Sequence, residues 1–161
     1  MPPEVIWGLL VRGLGAVYAL AFASLAVQIV PLAGRDGIVP VARLHAAMRR
    51  DFAPVTRLLR FPSLLWIHDG DNTLRGLAWL GCACGLAVVV GGPHTPLMLL
   101  ACWALYLSFD RAAVLVYPWD SLLLESGLWG AALPAAAVLP NVGLVATPDP
   151  ALTWLFPMMT R

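Results

Sequence analysis

The sequence predicts an all-α integral membrane bundle of about four transmembrane helices, with a helical loop between the first and second. Three observations carry that expectation. Of the 161 residues, 60% are apolar and 12% charged, against about 45–50% and about 25% in soluble globular domains. The mean hydropathy is +0.81. The apolar residues also fall into runs long enough to cross a bilayer core of about 30 Å, which asks for about 20 helical residues. A soluble enzyme, a nucleic-acid binder and a disordered tail are thereby excluded, and the lipid bilayer is the first partner. The net charge of +1 offers no electrostatic argument for an acidic partner. All ten cations are arginine, which with abundant Ala, Leu, Gly and Pro is the composition of a GC-rich genome.

The first span is expected over 14–31, interrupted by Tyr18, Ser24 and Gln28. Small residues at Ala21, Ala23 and Ala26 would suit a signal peptidase. The run is nevertheless longer than a signal's usual 7–15 residues, and only Arg12 against Glu4 precedes it, so a retained helix fits better. Arg12 is expected to reach the head groups by extending along the helix. The second span covers 76–92 after Asp69-Gly70-Asp71-Asn72-Thr73, a turn with a helix N-cap. Gly91-Gly92-Pro93-His94-Thr95-Pro96 is a tight reversal. The third span covers 97–117, contains Asp110 and Arg111, and ends at Pro118. The fourth covers 121–140, contains Glu125, and has a kink candidate at Pro134. A last apolar run from Ala151 to Arg161 is too short to cross.

The loop 32–75 holds Arg35, Arg43, Arg49, Arg50, Arg57, Arg60 and Arg75. Within it Val41, Leu44 and Met48 recur at helical spacing, so a short amphipathic helix either lies on a membrane surface or packs on the bundle. Cys82, Cys84 and Cys102 are odd in number and sit in apolar runs, which argues for small core residues rather than disulfides. A redox membrane protein using them is a distinct alternative.

Four patches follow in order: Gly34-Arg35-Asp36-Gly37-Ile38-Val39-Pro40; Phe61-Pro62-Ser63-Leu64-Leu65-Trp66 with Asp71; Leu105-Tyr106-Leu107-Ser108; and Trp119-Asp120-Ser121-Leu122-Leu123-Leu124-Glu125-Ser126-Gly127. In that order and spacing they resemble the membrane portion of the lipase maturation factor family, from about Arg12 to Phe156. The Trp119–Gly127 stretch is the most specific part and Gly37 to Pro40 the next. Two departures stand out: the family usually has neutral residues at Asp110 and Arg111, and the approach to Trp119 is about two residues shorter. The resemblance implies a membrane-embedded, chaperone-like factor that helps secreted lipases fold and assemble. It implies residence in the endoplasmic reticulum membrane for a eukaryotic source and in the cell membrane for a bacterial one. It implies no catalytic residue, cofactor or metal. The family continues through further membrane helices into a soluble region expected to hold the client. The chain thus reads as one membrane domain, 1–161, the N-terminal part or a fragment of a longer architecture. Its protein partners would be client lipases and either a second copy or the remainder of the parent. The family fold is also distantly similar to vitamin-K-dependent carboxylase membrane domains, which keeps a membrane enzyme as the alternative, although their catalytic region finds no counterpart.

A charge in the bilayer interior is costly, so Asp110, Arg111 and Glu125 should pair or line a cavity. With a turn near Pro118-Trp119, Arg111 and Glu125 each lie about 10 Å below it at about 1.5 Å per residue. Two readings follow: an interhelical Arg111–Glu125 clamp, which we favour, or a polar site for a proton or a head group. Asp120, at the start of the fourth helix, suits an N-cap. His45, His68 and His94 lie outside the spans, and His68-Asp69-Gly70-Asp71-Asn72 lacks the glycine and late glutamate of a calcium hand. For topology, seven loop arginines favour a cytoplasmic loop, whereas animal members of the resembled family are expected to place it in the lumen; we lean to the latter.

Overall fold

The computed structural model describes residues 3–92, 94–113 and 118–132. They form six α-helices in chain order: α1 (Pro3–Ala33), α2 (Val41–Asp51), α3 (Pro54–Arg60), α4 (Asp71–Val90), α5 (Thr95–Ala113) and α6 (Pro118–Ala132). A 3-10 turn, Leu64–Trp66, stands between α3 and α4, and no strand occurs among the described residues. α1, α4, α5 and α6 make the bundle, and the segment 34–70 caps the end where α1 finishes and α4 begins. Gly8–Ala33 and α4 are each long and apolar enough to cross a membrane, at 26 and 20 residues. Of the four expected spans, these two meet that measure among the described residues.

The helix limits depart from the expected ones for identifiable reasons. α1 begins near Pro3, well before position 14, so Arg12 is a half-buried residue inside the helix rather than one beyond its start. α4 begins at Asp71 with Gly70 as N-cap, and no side chain caps it. Pro118 is the first residue of α6; its missing N–H and fixed φ suit a first helical position. Positions 114–117, Pro134 with the rest of 133–140, and the run from Ala151 to Arg161 lie outside the described residues.

Each bundle helix buries one stripe. α1 buries Val11, Tyr18, Phe22, Leu25, Ala26, Ile29 and Ala33, while Leu20 and Val27 on the other side are exposed. α4 buries Leu74, Ala78, Gly81, Cys82, Gly85 and Val88 at steps of three and four. The two helices touch at backbone distance. A Cβ added at Gly85 would stand 2.7 Å from the Ala19 nitrogen and 2.9 Å from the Gly15 oxygen, and one at Gly81 would stand 2.6 Å from the Phe22 ring. Gly81 and Gly85 are thus a small-xxx-small pair, the spacing that lets apolar helices approach closely enough to pack without a hydrophobic drive from water. The three cysteines are free, with Cys82 and Cys102 buried, as expected for core residues. At the reversal, Gly91 (φ 85°) and Gly92 (φ 130°) occupy the left-handed half of backbone space, and the Thr95 hydroxyl donates to the Gly92 carbonyl at 2.8 Å.

The core of the bundle is an aromatic cluster. Tyr106 meets Tyr18 and Phe22 edge-on at centroid distances of 5.9 and 5.5 Å, and Phe22 meets Phe109 at 6.3 Å. These are favourable edge-to-face geometries.

Replacing Gly85 by leucine drives a side chain into the α1 backbone, which cannot give way as a side chain does. Overpacking of this kind costs about 1–3 kcal/mol and more against backbone. Thermal unfolding in detergent should show a marked loss for Gly85→Leu. Gly76→Leu, where a Cβ meets nothing within 4 Å, should unfold like the parent chain.

Candidate functional site

Residues of the four motif patches bond to one another from segment 34–70 down into the bundle. Four contacts build this layer. The first joins α5 to α6. The Tyr106 hydroxyl donates to Asp120 Oδ1 at 2.6 Å, and Asp120 is 5% exposed. Asp120 stands in the first turn of α6, two residues past Pro118. There its charge meets the positive end of the helix dipole. It is therefore not the N-cap expected from the sequence, because α6 starts earlier at Pro118.

The second contact joins α1 to α6. The Tyr18 hydroxyl donates to the Leu123 carbonyl at 2.9 Å across 105 residues of sequence. Gly127 makes room for it: a Cβ there would collide with the Tyr18 hydroxyl. The third joins the 3-10 turn to α5. The Leu64 N–H donates to the Ser108 hydroxyl at 3.0 Å, and the Ser63 hydroxyl donates to the Ser108 carbonyl at 2.9 Å.

The fourth closes the end of α1 on the start of α4. The Arg35 N–H donates to Asp71 Oδ1 at 2.9 Å. The N–H groups of Gly37, Ile38 and Val39 turn back to the Gly34, Pro31 and Leu32 carbonyls, which satisfies acceptors that the helix end leaves open. Gly37 lies so close to the chain that a Cβ would stand 2.8 Å from the Leu32 carbonyl. Pro40 is buried and serves as N-cap residue of α2. Trp119 lies in the first turn of α6.

A half-buried pair lies next to this seam. His45 on α2 is 1% exposed; its Nδ1 is 3.3 Å from Asp69 Oδ2, and its ring stacks on Trp66 with centroids 4.1 Å apart. The Arg57 guanidinium also lies over Trp66, at 4.7 Å. Burial lowers the His45 pKa below its ordinary 6.5, the Asp69 hydrogen bond and charge oppose this, and Arg49 and Arg57 add to the lowering. Neither His45 nor Asp69 was singled out as a pair from the sequence; the only signal was an apolar helix stripe onto which His45 falls one residue after Leu44. A polar pocket of 260 Å³ opens at Arg35, His68, Gly70, Asp71 and Asn72. The 68–72 turn is thus tied by its two aspartates, to His45 and to the Arg35 amide.

The Arg111–Glu125 clamp is not present. Arg111 Nε stands 3.5 Å from Asp110 Oδ2, its own neighbour, and among the described residues no ion pair joins Arg111 to Glu125. Both residues are exposed. The inward face of α6 carries Asp120, Leu123, Gly127 and Gly130. Glu125 is turned about 140° away from Asp120 at about 100° per residue. Equal depth along two helices did not bring the side chains to one side.

Among the described residues no group of three or more His, Cys, Asp or Glu stands together. The layer ties four helices and a loop to one another; it does not set a nucleophile beside a base.

Comparison with known proteins agrees with the motif reading. A family model described as the lipase maturation factor transmembrane domain matches residues 7–158. The chain is 36% identical to human lipase maturation factor 2 over 127 residues, which is 74% of this chain and 18% of that protein. It is 35% identical to lipase maturation factor 2 of Xenopus tropicalis over 123 residues, 71% of this chain and 17% of the relative. With bovine lipase maturation factor 1 the identity is 31% over 129 residues, 75% and 23% of the two chains. The chain thus spans about a fifth of the length of the relatives it matches. No solved structure matches it.

Tyr106→Phe takes this donor from a buried carboxyl, a loss worth about 1–3 kcal/mol. Tyr106→Phe should therefore lower the unfolding temperature in detergent more than Ser126→Ala on the exposed side of α6. Because the folded state holds His45 at a lowered pKa, the unfolded chain binds its proton first. The stability this residue contributes is present above pH 6.5 and is lost as pH falls below it toward the folded value. Unfolding followed from pH 8 to pH 5 (about the range in which histidine titrates) should show that decline, and His45→Asn should flatten it.

Proposed function

Because the chain belongs to the lipase maturation factor family, we propose that it is the membrane portion of a maturation factor that assists secreted lipases to fold and assemble. The observation that carries this reading is the family match over 7–158, together with the mutual docking of the four motif patches. Each patch supplies a residue that another needs, so the motif residues act as the frame of a membrane seat. In this reading client lipases are held by the longer architecture that the relatives have, and this bundle anchors and orients it. The membrane is that of the endoplasmic reticulum in a eukaryotic cell and the cell membrane in a bacterium. In this reading the Asp110–Arg111 pair and the separate Glu125 are contacts for the remainder of the protein rather than a catalytic centre.

The test is an exchange. The matching membrane portion of human lipase maturation factor 2 is replaced by this chain, and secreted lipase activity is measured per amount of lipase antigen in cells lacking the endogenous factor. Restored activity is the expected result. Gly127→Leu, which blocks the Tyr18 contact, should abolish it. A chimera that accumulates in the membrane yet restores nothing would count against the proposal.

A further inference from the structure

α3 (Pro54–Arg60) buries none of its residues. Val55, Leu58 and Leu59 stand at i, i+3 and i+4, one face of the helix, and are 69, 54 and 79% exposed. Ile67, which closes the 3-10 turn, is 86% exposed. α2 behaves differently: it buries Val41 and His45 and half-buries Leu44 and Met48, so its apolar side packs on the bundle. Of the two placements the sequence leaves open for this helix, α2 takes the one packed on the bundle. Among the described residues of this segment, α3 carries an apolar face that no protein side chain covers.

What covers that face follows from where it is held and what surrounds it. α1 ends at Ala33 and α4 begins at Asp71, and both are membrane-length helices, so segment 34–70 stands at the surface of the bilayer. Between those positions six arginines face three aspartates. One of these, Asp69, is engaged by His45. Aromatic rings stand among the arginines: Phe52 and Phe61 lie 5.8 Å apart, and Arg60 lies 5.8 Å from the Phe52 ring. Apolar side chains on one face, arginines around them and aromatic rings at the same level are the composition of a segment lying in a head-group layer. Excess arginine selects a negative surface.

We propose that α3, with Ile67, docks into the head-group region of the leaflet next to it and that its arginine surround selects anionic phospholipid. Val55, Leu58 and Leu59 enter the acyl boundary, and Arg50 and Arg60 meet lipid phosphates. The proposal rests on α1 and α4 crossing the bilayer and is independent of the lipase reading.

The full chain is placed in nanodiscs of phosphatidylcholine alone or mixed with phosphatidylglycerol. Cys82, Cys84 and Cys102 are replaced by alanine, and a fluorescent label is attached at Leu59→Cys or, for comparison, at Ala47→Cys on α2. Quenching by a nitroxide lipid and by aqueous iodide is then read. The expected result is lipid quenching several-fold stronger at 59 than at 47, stronger again with phosphatidylglycerol, and reduced several-fold by Arg50→Gln with Arg60→Gln. Circular dichroism confirms that each labelled variant keeps its helix content. Where the cysteine-free background does not fold, the label is attached with Cys82 and Cys102 left in place. Iodide quenching as free at 59 as at 47 overturns the proposal. A label at 59 shielded from both quenchers also overturns it, since protein would then cover α3. Lipid quenching indifferent to phosphatidylglycerol overturns the anionic selectivity. A label at Val88→Cys on α4 that iodide reaches freely would instead remove the spanning premise.

Discussion

A carboxyl group set inside a helical bundle needs a donor before anything can pack against it, and here Tyr106 supplies one to Asp120 at 2.6 Å. A buried polar group left without a partner costs more than the pair gains. That asymmetry fixes the rotation of α5 against α6 more firmly than apolar contact would. Tyr106 is also the ring on which Tyr18 and Phe22 pack edge-on. The same side chain therefore sets the polar contact to α6 and the aromatic contact to α1. Tyr18 in turn reaches the Leu123 carbonyl of α6, and the absence of a side chain at Gly127 permits it. Three helices are held in one rotational setting by two phenols and one glycine.

The α1–α4 contact is of another kind. Gly81 and Gly85 bring two backbones together, and little beyond close van der Waals packing acts there. Such packing tolerates sliding and rotation more readily than a hydrogen bond does. The segment 34–70 removes that freedom at one end, because the Arg35 amide is bonded to Asp71 and the turn after α1 folds back on the carbonyls of Pro31 and Leu32. Ser108 then ties the 3-10 turn to α5. The cap is a joint connecting both pairs of helices.

This arrangement gives the family motifs a physical meaning. Glycines at 34, 37 and 127 stand where a Cβ would strike a neighbour, and Ser63, Ser108, Tyr106, Asp71 and Asp120 exchange hydrogen bonds between patches. Residues so occupied hold a shape. A lasting shape of this kind is what the proposed reading, a membrane seat for a maturation factor, requires of these residues.

The sequence by itself determined the all-helical membrane class, the order of the bundle helices, the reversal at Gly91 and Gly92 and the core character of Cys82 and Cys102. These depend on composition and on residues near one another in the chain. It also pointed to Asp120 as a residue served by a helix start, but placed that start three residues late, because Pro118 can either end one helix or open the next. Tertiary structure decided everything that depends on rotation about a helix axis. Arg111 and Glu125 were placed by depth, the one coordinate that residue counting gives along a helix; their azimuths put them apart, and Asp110 became the partner of Arg111 instead. His45 and Asp69, 24 residues apart, and Tyr18 and Leu123, 105 apart, met only when the helices had packed. Periodicity says which face of a helix is apolar, but only the neighbouring helices determine which face a polar group must turn toward.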